Sequence, residues 1–372
     1  MRLGINGVFN KYPATGIGRY ILALQDHIAA VRPDIDIVIL NPTNLGWGPW
    51  PIEPHKPFKE GLWELLGLSL ASLQLKLDAL HCPNWACPLF PTVPTVVTIP
   101  DIVPVLPMSG FEVYRASLLA RLYYMAVTIA ALRCKRVITL SEKAAQDCSS
   151  YLHIPMGRFL VVPIPPNEQF IPITNSDVLS GVRSKYHLPD QFILSMVGQF
   201  DYRRNLQKLI EAFSGVARKE ADVQLILVGD TRFLGNRASV DPRPIIAAHG
   251  LESSVRILGL IDEQSLPAVY SAATILVCPS LYEGYGLPVL EAMACGTPII
   301  ASDNSALPQT TNGIGLFVDP NNGESISNAM LDLLRNPSER SRLSTEGINW
   351  AKQFSWNRTA SKTVEIFENL ML

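Results

Sequence analysis

The sequence predicts two doubly wound α/β domains, each a parallel sheet covered by helices on both faces. Three observations predict it. Short apolar runs rich in Val, Ile and Leu alternate with helical-period segments along almost the whole chain, as parallel strands joined by crossover helices do. At 372 residues, with 48% hydrophobic and 17% charged residues, the chain has length and apolar material for two cores. Finally, Pro163–Asp190 holds five prolines and no clear periodic segment, as a linker between two such runs should.

In the first half the expected strands are Leu3–Asn6, Ile35–Leu40, Thr95–Ile99, Val137–Leu140 and Phe159–Val162. Helical patterns fall between them near Arg19–Ala30, Gly61–Leu75, Val113–Leu132 and Glu142–Tyr151. The second half has expected strands at Phe192–Val197, Gln224–Val228, Val255–Leu258, Thr274–Cys278 and Pro298–Ala301. Its helices fit Leu206–Arg218, Ser265–Ser271, Pro288–Ala294, Ser325–Leu334 and Glu339–Gln353, with a last one over Trp356–Leu370. The expected division is residues 1–170, 171–354 and a closing segment 355–372. Open α/β sheets bind ligands beyond the carboxyl ends of their strands. Two facing sheets would put that site in the cleft between the domains.

Thirty-one Lys and Arg against 33 Asp and Glu give a net charge of −2. A protein living on phosphate-backbone contacts carries a basic excess, which argues against general nucleic-acid binding. No segment reaches the roughly 18–20 uncharged apolar residues of a membrane span; the nearest, Ser117–Cys134, is interrupted by Arg121. The N-terminus runs from Arg2 into a short strand pattern, unlike a secretory leader. Six cysteines scattered over so long a chain make no disulfide framework, so a reduced, cytosolic protein is expected. His81, Cys82 and Cys87 have no second close Cys/His pair to complete a metal site, and neither metal nor cofactor is expected. Around Phe111–Arg136, basic residues flank an apolar run. A buried helix is favoured there over a basic helix lying peripherally on the inner face of a membrane.

The most informative constellation is Pro279-Ser280-Leu281-Tyr282-Glu283-Gly284-Tyr285-Gly286-Leu287-Pro288-Val289-Leu290-Glu291, between a strand and a helix. Pro288 suits a first helical turn, and Gly296 suits the stop. Gly284 and Gly286 leave the loop backbone bare, so its N–H groups and the positive end of the helix make an anion site. Glu283 and Glu291, eight positions apart, can flank that site and accept hydrogen bonds from vicinal hydroxyls. A sugar on each side of a phosphate group satisfies both. Either feature alone reads as a tight turn or a dipole-compensating glutamate; together they read as a site.

This run resembles the Glu-x7-Glu signature of retaining glycosyltransferases of family four, which have the GT-B fold of two Rossmann-like domains facing a central cleft. The resemblance implies that Glu283 contacts the transferred sugar and Glu291 the ribose of a nucleotide-diphosphate sugar. The backbone of Gly284, Tyr285, Gly286 and Leu287 would hold sugar hydroxyls and diphosphate. It also implies a closing helix that crosses back to the first domain. The first domain would take the acceptor and the second the donor. The expectation is a metal-independent transferase, with cations and helix ends in place of an ion.

Further segments carry the same resemblance. Val197-Gly198-Gln199-Phe200-Asp201-Tyr202-Arg203-Arg204 follows a strand, and its two guanidiniums can neutralise a diphosphate. Arg204 stands at the family's lysine position, Arg203 matches an arginine of one subgroup, and Gln199 replaces a common arginine. Thr15-Gly16-Ile17-Gly18-Arg19-Tyr20 resembles the loop that faces donor diphosphate and acceptor, with Gly16 and Gly18 allowing close approach. In Thr98-Ile99-Pro100-Asp101-Ile102, Pro100 stands where the family usually has histidine, which removes a ring donor and a backbone N–H. Asp101 remains to orient a hydroxyl, or to cap a turn. The expected activity is transfer of a hexose, GDP-mannose being the favoured donor, to a glycan or lipid-linked acceptor in polysaccharide synthesis. Alternatives on the same fold are a sugar phosphorylase, a nucleotide-sugar epimerase, or a degenerate transferase serving as a nucleotide-binding module.

Overall fold

Six short strands build the first sheet: β1 (Arg2–Asn6), β2 (Asp36–Leu40), β3 (Ala79–Cys82), β4 (Thr95–Thr98), β5 (Arg136–Thr139) and β6 (Phe159–Val161). All pair in parallel, in the order β2-β1-β3-β4-β5-β6. Every residue of β3 and β4 is buried, because helices cover both faces of the middle strands. The structure is a computed structural model and describes residues 1–11, 16–42, 61–105, 118–234 and 239–372. Thr15, residues 113–117 of the expected Val113–Leu132 helix and Arg115 lie outside these.

The first unit comprises Met1–Ile102, Tyr114–Ile164 and Ser355–Leu372. Its helices include α1 (Gly16–Val31), α2 (Leu68–Gln74), α3 (Leu118–Arg133) and α4 (Glu142–Leu152). A π-helical turn, Trp63–Gly67, leads into α2. Ser141 caps α4 by accepting from the Ala144 N–H at 3.0 Å. The expectation of a buried helix near residue 120 is corrected by α3. Val127, Ala130 and Ala131 are buried, but Leu122, Met125, Ile129 and Leu132 are exposed in one stripe. A helix apolar on most faces has no period from which the buried side can be read.

The second sheet consists of β7 (Phe192–Gly198), β8 (Gln224–Gly229), β9 (Val255–Leu258), β10 (Ile275–Cys278), β11 (Ile299–Ser302) and β12 (Leu316–Val318). It too is parallel, in the order β12-β11-β10-β7-β8-β9. Counted within the unit this is 3-2-1-4-5-6 read from β9, the Rossmann order. The unit comprises Val103–Val113 and Pro165–Phe354. Its helices are α5 (Ser176–Tyr186), α6 (Leu206–Ala217), α7 (Pro242–Ala248), α8 (Leu266–Ala272), α9 (Leu287–Ala294), α10 (Leu307–Thr310), α11 (Gly323–Arg335) and α12 (Pro337–Ala351). In α6, Leu206, Leu209, Ile210, Phe213 and Val216 recur every three or four residues and join one buried cluster with Ile193, Leu225 and Leu227. Each such side chain contributes about 1.5–3 kcal/mol on burial.

The proline-rich stretch is not all linker. Asn175 caps α5, its side chain accepting from the Asp177 and Val178 N–H groups at 2.9 and 3.3 Å. Only Val182 of that helix is buried, too little to show a period. The sequence reading finds ten of the twelve strands and misses β3 and β12, of four and three residues.

Helix α13 (Trp356–Met371), capped by Ser355, packs on α1 of the first unit. The Trp356 ring lies 6.3 Å from Tyr20 and 6.1 Å from His27, and Arg32 pairs with Glu368. The Thr359 hydroxyl donates to the Pro163 carbonyl at 2.8 Å. Among the described residues, no helix is long and apolar enough to cross a membrane.

Candidate functional site

The order of the second sheet reverses between β7 and β10, the kind of switch point at which open α/β sheets bind ligands. Gly198 ends β7 with a φ of +59°, a left-handed turn that glycine adopts freely. A single 3-10 turn, Tyr202–Arg204, follows, and Asn205 closes it in the left-handed region. The Asn205 amide donates to the carbonyls of Pro279 at 3.0 Å and Pro320 at 2.7 Å. The Leu281 N–H donates to the Arg203 carbonyl at 2.8 Å. These bonds hold the arginine-bearing turn against the loop after β10.

Glu283 lies in that loop, and only 5% of it is exposed. Arg203 Nη1 donates to its Oε2 at 2.8 Å, Arg204 Nη1 donates to its Oε1, and the Ser280 hydroxyl reaches Oε1 at 3.1 Å. Arg203 Nε also stands 3.2 Å from Asp201 Oδ1. Two guanidiniums and two carboxylates are thus gathered in one group. Burial pushes the Glu283 carboxyl upward, but the Arg203 and Arg204 charges and the Ser280 hydrogen bond outweigh it and hold it below its ordinary value. The main chain is fixed as well. The Glu283 N–H donates to Ser305 Oγ at 3.1 Å, and its carbonyl accepts from the Ala306 N–H at 3.1 Å.

Gly286, at φ +93°, is the N-cap of α9, and a Cβ there would sit 2.5 Å from Leu307 Cδ2. Only glycine meets both conditions. Pro288 occupies the first turn, where a missing N–H costs nothing. Leu287 opens the helix and Tyr285 is buried, with its carbonyl accepting from the Thr310 hydroxyl. Glu291 is buried further along α9 and accepts from the Tyr270 hydroxyl at 2.8 Å on Oε2. The structure therefore brings Gly198, Arg203, Arg204, Glu283, Gly284, Tyr285, Gly286, Leu287 and Glu291 to two neighbouring loops and one helix.

The remaining candidates belong to the first unit. Gly16 and Gly18 form the first turn of α1. Pro100 and half-buried Asp101 follow β4. Burial and then the Asp101 charge push the Cys148 thiol up. His81, in β3, bonds through Nε2 to Thr98 Oγ1 at 2.9 Å, and burial lowers its pKa to about 3, so it is neutral. Among the described residues, no group of three or more His, Cys, Asp or Glu side chains could hold a metal ion. Sequence reading does not single out Tyr270, Asn205 or Ser305. Tyr270 and Ser305 reach the site from other segments and have no local signature, while Asn205 directly follows Arg204 and shows its part only through its bonds to Pro279 and Pro320.

The profile of the family "Glycosyl transferases group 1" matches residues 182–350, the segment that holds the whole second-unit constellation. Over those residues the chain is similar to a glycosyl transferases group 1 domain. Over 238 residues it is 30% identical to O-antigen chain mannosyltransferase B of Escherichia coli, covering 63% of this chain and 61% of that one. Serotype-specific mannosyltransferase WbdA of the same organism is 28% identical over 276 residues, 72% of this chain and 33% of its own. The chain thus spans less than two thirds of the length of these relatives. Sucrose-phosphate synthase of Thermosynechococcus elongatus matches 100% of this chain and 99% of its own, with a TM-score of 0.73 at 22% identity. That likeness shows the fold, GT-B, with its two parallel α/β sheets.

Proposed function

We propose that the protein is a retaining hexosyltransferase. It would move a sugar from a nucleotide-diphosphate donor, GDP-mannose favoured, to a glycan or lipid-linked saccharide acceptor in polysaccharide synthesis. The observation that carries this reading is the pair of guanidiniums on Glu283 at the switch point of a segment similar to a group 1 domain. The names of the curated relatives support mannose as the sugar.

In this reading the donor diphosphate takes the guanidiniums of Arg203 and Arg204 and the N–H groups of Gly284–Leu287. These are fixed dipoles and charges where the leaving group gathers charge. Glu283, released from the arginines, orients the sugar. Glu291 takes the ribose, and Gly16, Gly18 and Asp101 serve the diphosphate and acceptor side. The C1–O bond to the diphosphate breaks and the bond to the acceptor oxygen forms on the same face. The acceptor proton passes to a donor phosphate oxygen.

The exposed stripe Leu122, Met125, Ile129 and Leu132, followed by Arg133, Lys135 and Arg136, supports a cytoplasmic enzyme resting peripherally on an anionic membrane. Sedimentation with phosphatidylglycerol vesicles but not phosphatidylcholine vesicles is the expected result; equal behaviour with both contradicts it.

The activity test is incubation with GDP-mannose with and without a mannose-terminated saccharide. Acceptor-dependent GDP release and a retained anomeric configuration are expected. Conversion of the donor alone points to an epimerase. Donor binding without turnover over a broad acceptor panel points to the degenerate module, which Pro100 and Gln199 favour.

A further inference from the structure

We infer that Tyr270 is a positioning residue that fixes the Glu291 carboxylate and thereby sets the selectivity of the site for ribonucleotides over deoxyribonucleotides. The inference rests on the reading of Glu291 as the ribose-binding carboxylate.

Tyr270 lies in α8 with none of its surface exposed. Its ring meets Phe170 edge to face, with centroids 5.8 Å apart. Packing alone needs only the ring. The hydroxyl is a polar group in a dry place and must find a partner. It finds Glu291 Oε2 at 2.8 Å, on the next helix.

The donor is itself immobile. The Tyr270 carbonyl accepts from the Thr297 hydroxyl at 2.6 Å, and the Thr297 N–H donates to the Ala292 carbonyl at 2.9 Å. Helix α8 is thereby pinned to the end of α9. A glutamate carries three rotatable bonds, and a hydrogen bond from a fixed phenol selects one orientation of its carboxylate. Burial, and then the adjacent Glu291 charge, push the Tyr270 phenol well above its ordinary pKa, so it stays a donor throughout the working pH range. A carboxylate held this way meets both hydroxyls of a ribose without first being ordered by the ligand.

The test compares affinities of the full chain for GDP and for 2′,3′-dideoxy-GDP, by calorimetry. Wild type is expected to prefer GDP. Tyr270→Phe should weaken GDP about tenfold, the scale of one hydrogen bond to a charged group, and leave the dideoxy analogue within about twofold. Glu291→Gln should act in the same direction, and adding Tyr270→Phe to it should cost little more, as coupled residues do. If Tyr270→Phe does not fold, Tyr270→Met removes the hydroxyl while keeping apolar volume, and the same ratio is read. Equal weakening of both nucleotides, or unchanged GDP affinity, overturns the inference and leaves the ribose reading standing. Wild type that does not discriminate between the two overturns the ribose reading, and this inference with it, before any variant is made.

Discussion

Glu283 keeps its charge in a buried place because Arg203 and Arg204 surround it. Removing one member of such a group costs about 3–5 kcal/mol, since a buried charge is left unpaired. Arg204→Ala should therefore lower the melting temperature markedly, and Arg204→Lys should lower it less. The folded carboxyl titrates below its ordinary value of 4.5, so its charge adds stability above that pH. That contribution is lost as the pH falls through the lower folded value. Melting followed from neutral pH down to about 3 should show a shallower acid limb for Glu283→Gln than for wild type; parallel limbs contradict the pairing. In the proposed chemistry Glu283 orients the sugar rather than the nucleotide. Glu283→Gln should then cut transfer at least about a hundredfold while GDP binding holds or tightens, because the guanidiniums lose an internal competitor. Equal losses in transfer and binding contradict that role. The positions of Glu283, Glu291 and the two arginines are legible in the sequence because each lies in a local motif. Their mutual contact is not legible, since Arg203 and Glu283 are joined only by the order of β7 and β10. Tyr270 is invisible for the same reason.

Among elements, α9 is the one whose start and stop can be read directly, with Pro288 in its first turn and Gly296 beyond its end at φ +78°. The N-cap is more demanding than the stop. Gly286→Ala meets both a left-handed backbone and the Leu307 side chain, whereas Gly313→Ala meets a φ of +73° with open space around it. Backbone strain alone costs about 1–3 kcal/mol. Gly286→Ala should lose clearly more stability than Gly313→Ala in denaturant unfolding, and it should also displace the Gly284–Leu287 backbone and weaken GDP binding. Equal losses contradict the close packing at Leu307. Helices α5 and α3 show where element reading stops. The first buries one residue and the second is apolar on most faces, so neither has the two-sided contrast that periodicity needs.

At the scale of the whole molecule, two parallel sheets are legible, because ten of their twelve strands read as continuous apolar runs between helical periods. The topology of each sheet, and so the switch point that assembles the site, is a tertiary property with no local mark. The last helix joins the first unit through Trp356, which is 7% exposed beside Tyr20 and His27. Trp356→Ala should destabilise the first unit by about 3–5 kcal/mol, read by the protection of α1 against hydrogen exchange; unchanged protection contradicts the packing. The proposed function requires that the switch point beside β7 and β10 hold a nucleoside diphosphate. Calorimetric titration of the purified protein with GDP and with UDP tests it most directly. The predicted result is saturable binding, tighter for GDP, that is lost in the Arg203→Ala, Arg204→Ala double variant. Binding of neither nucleotide would contradict it.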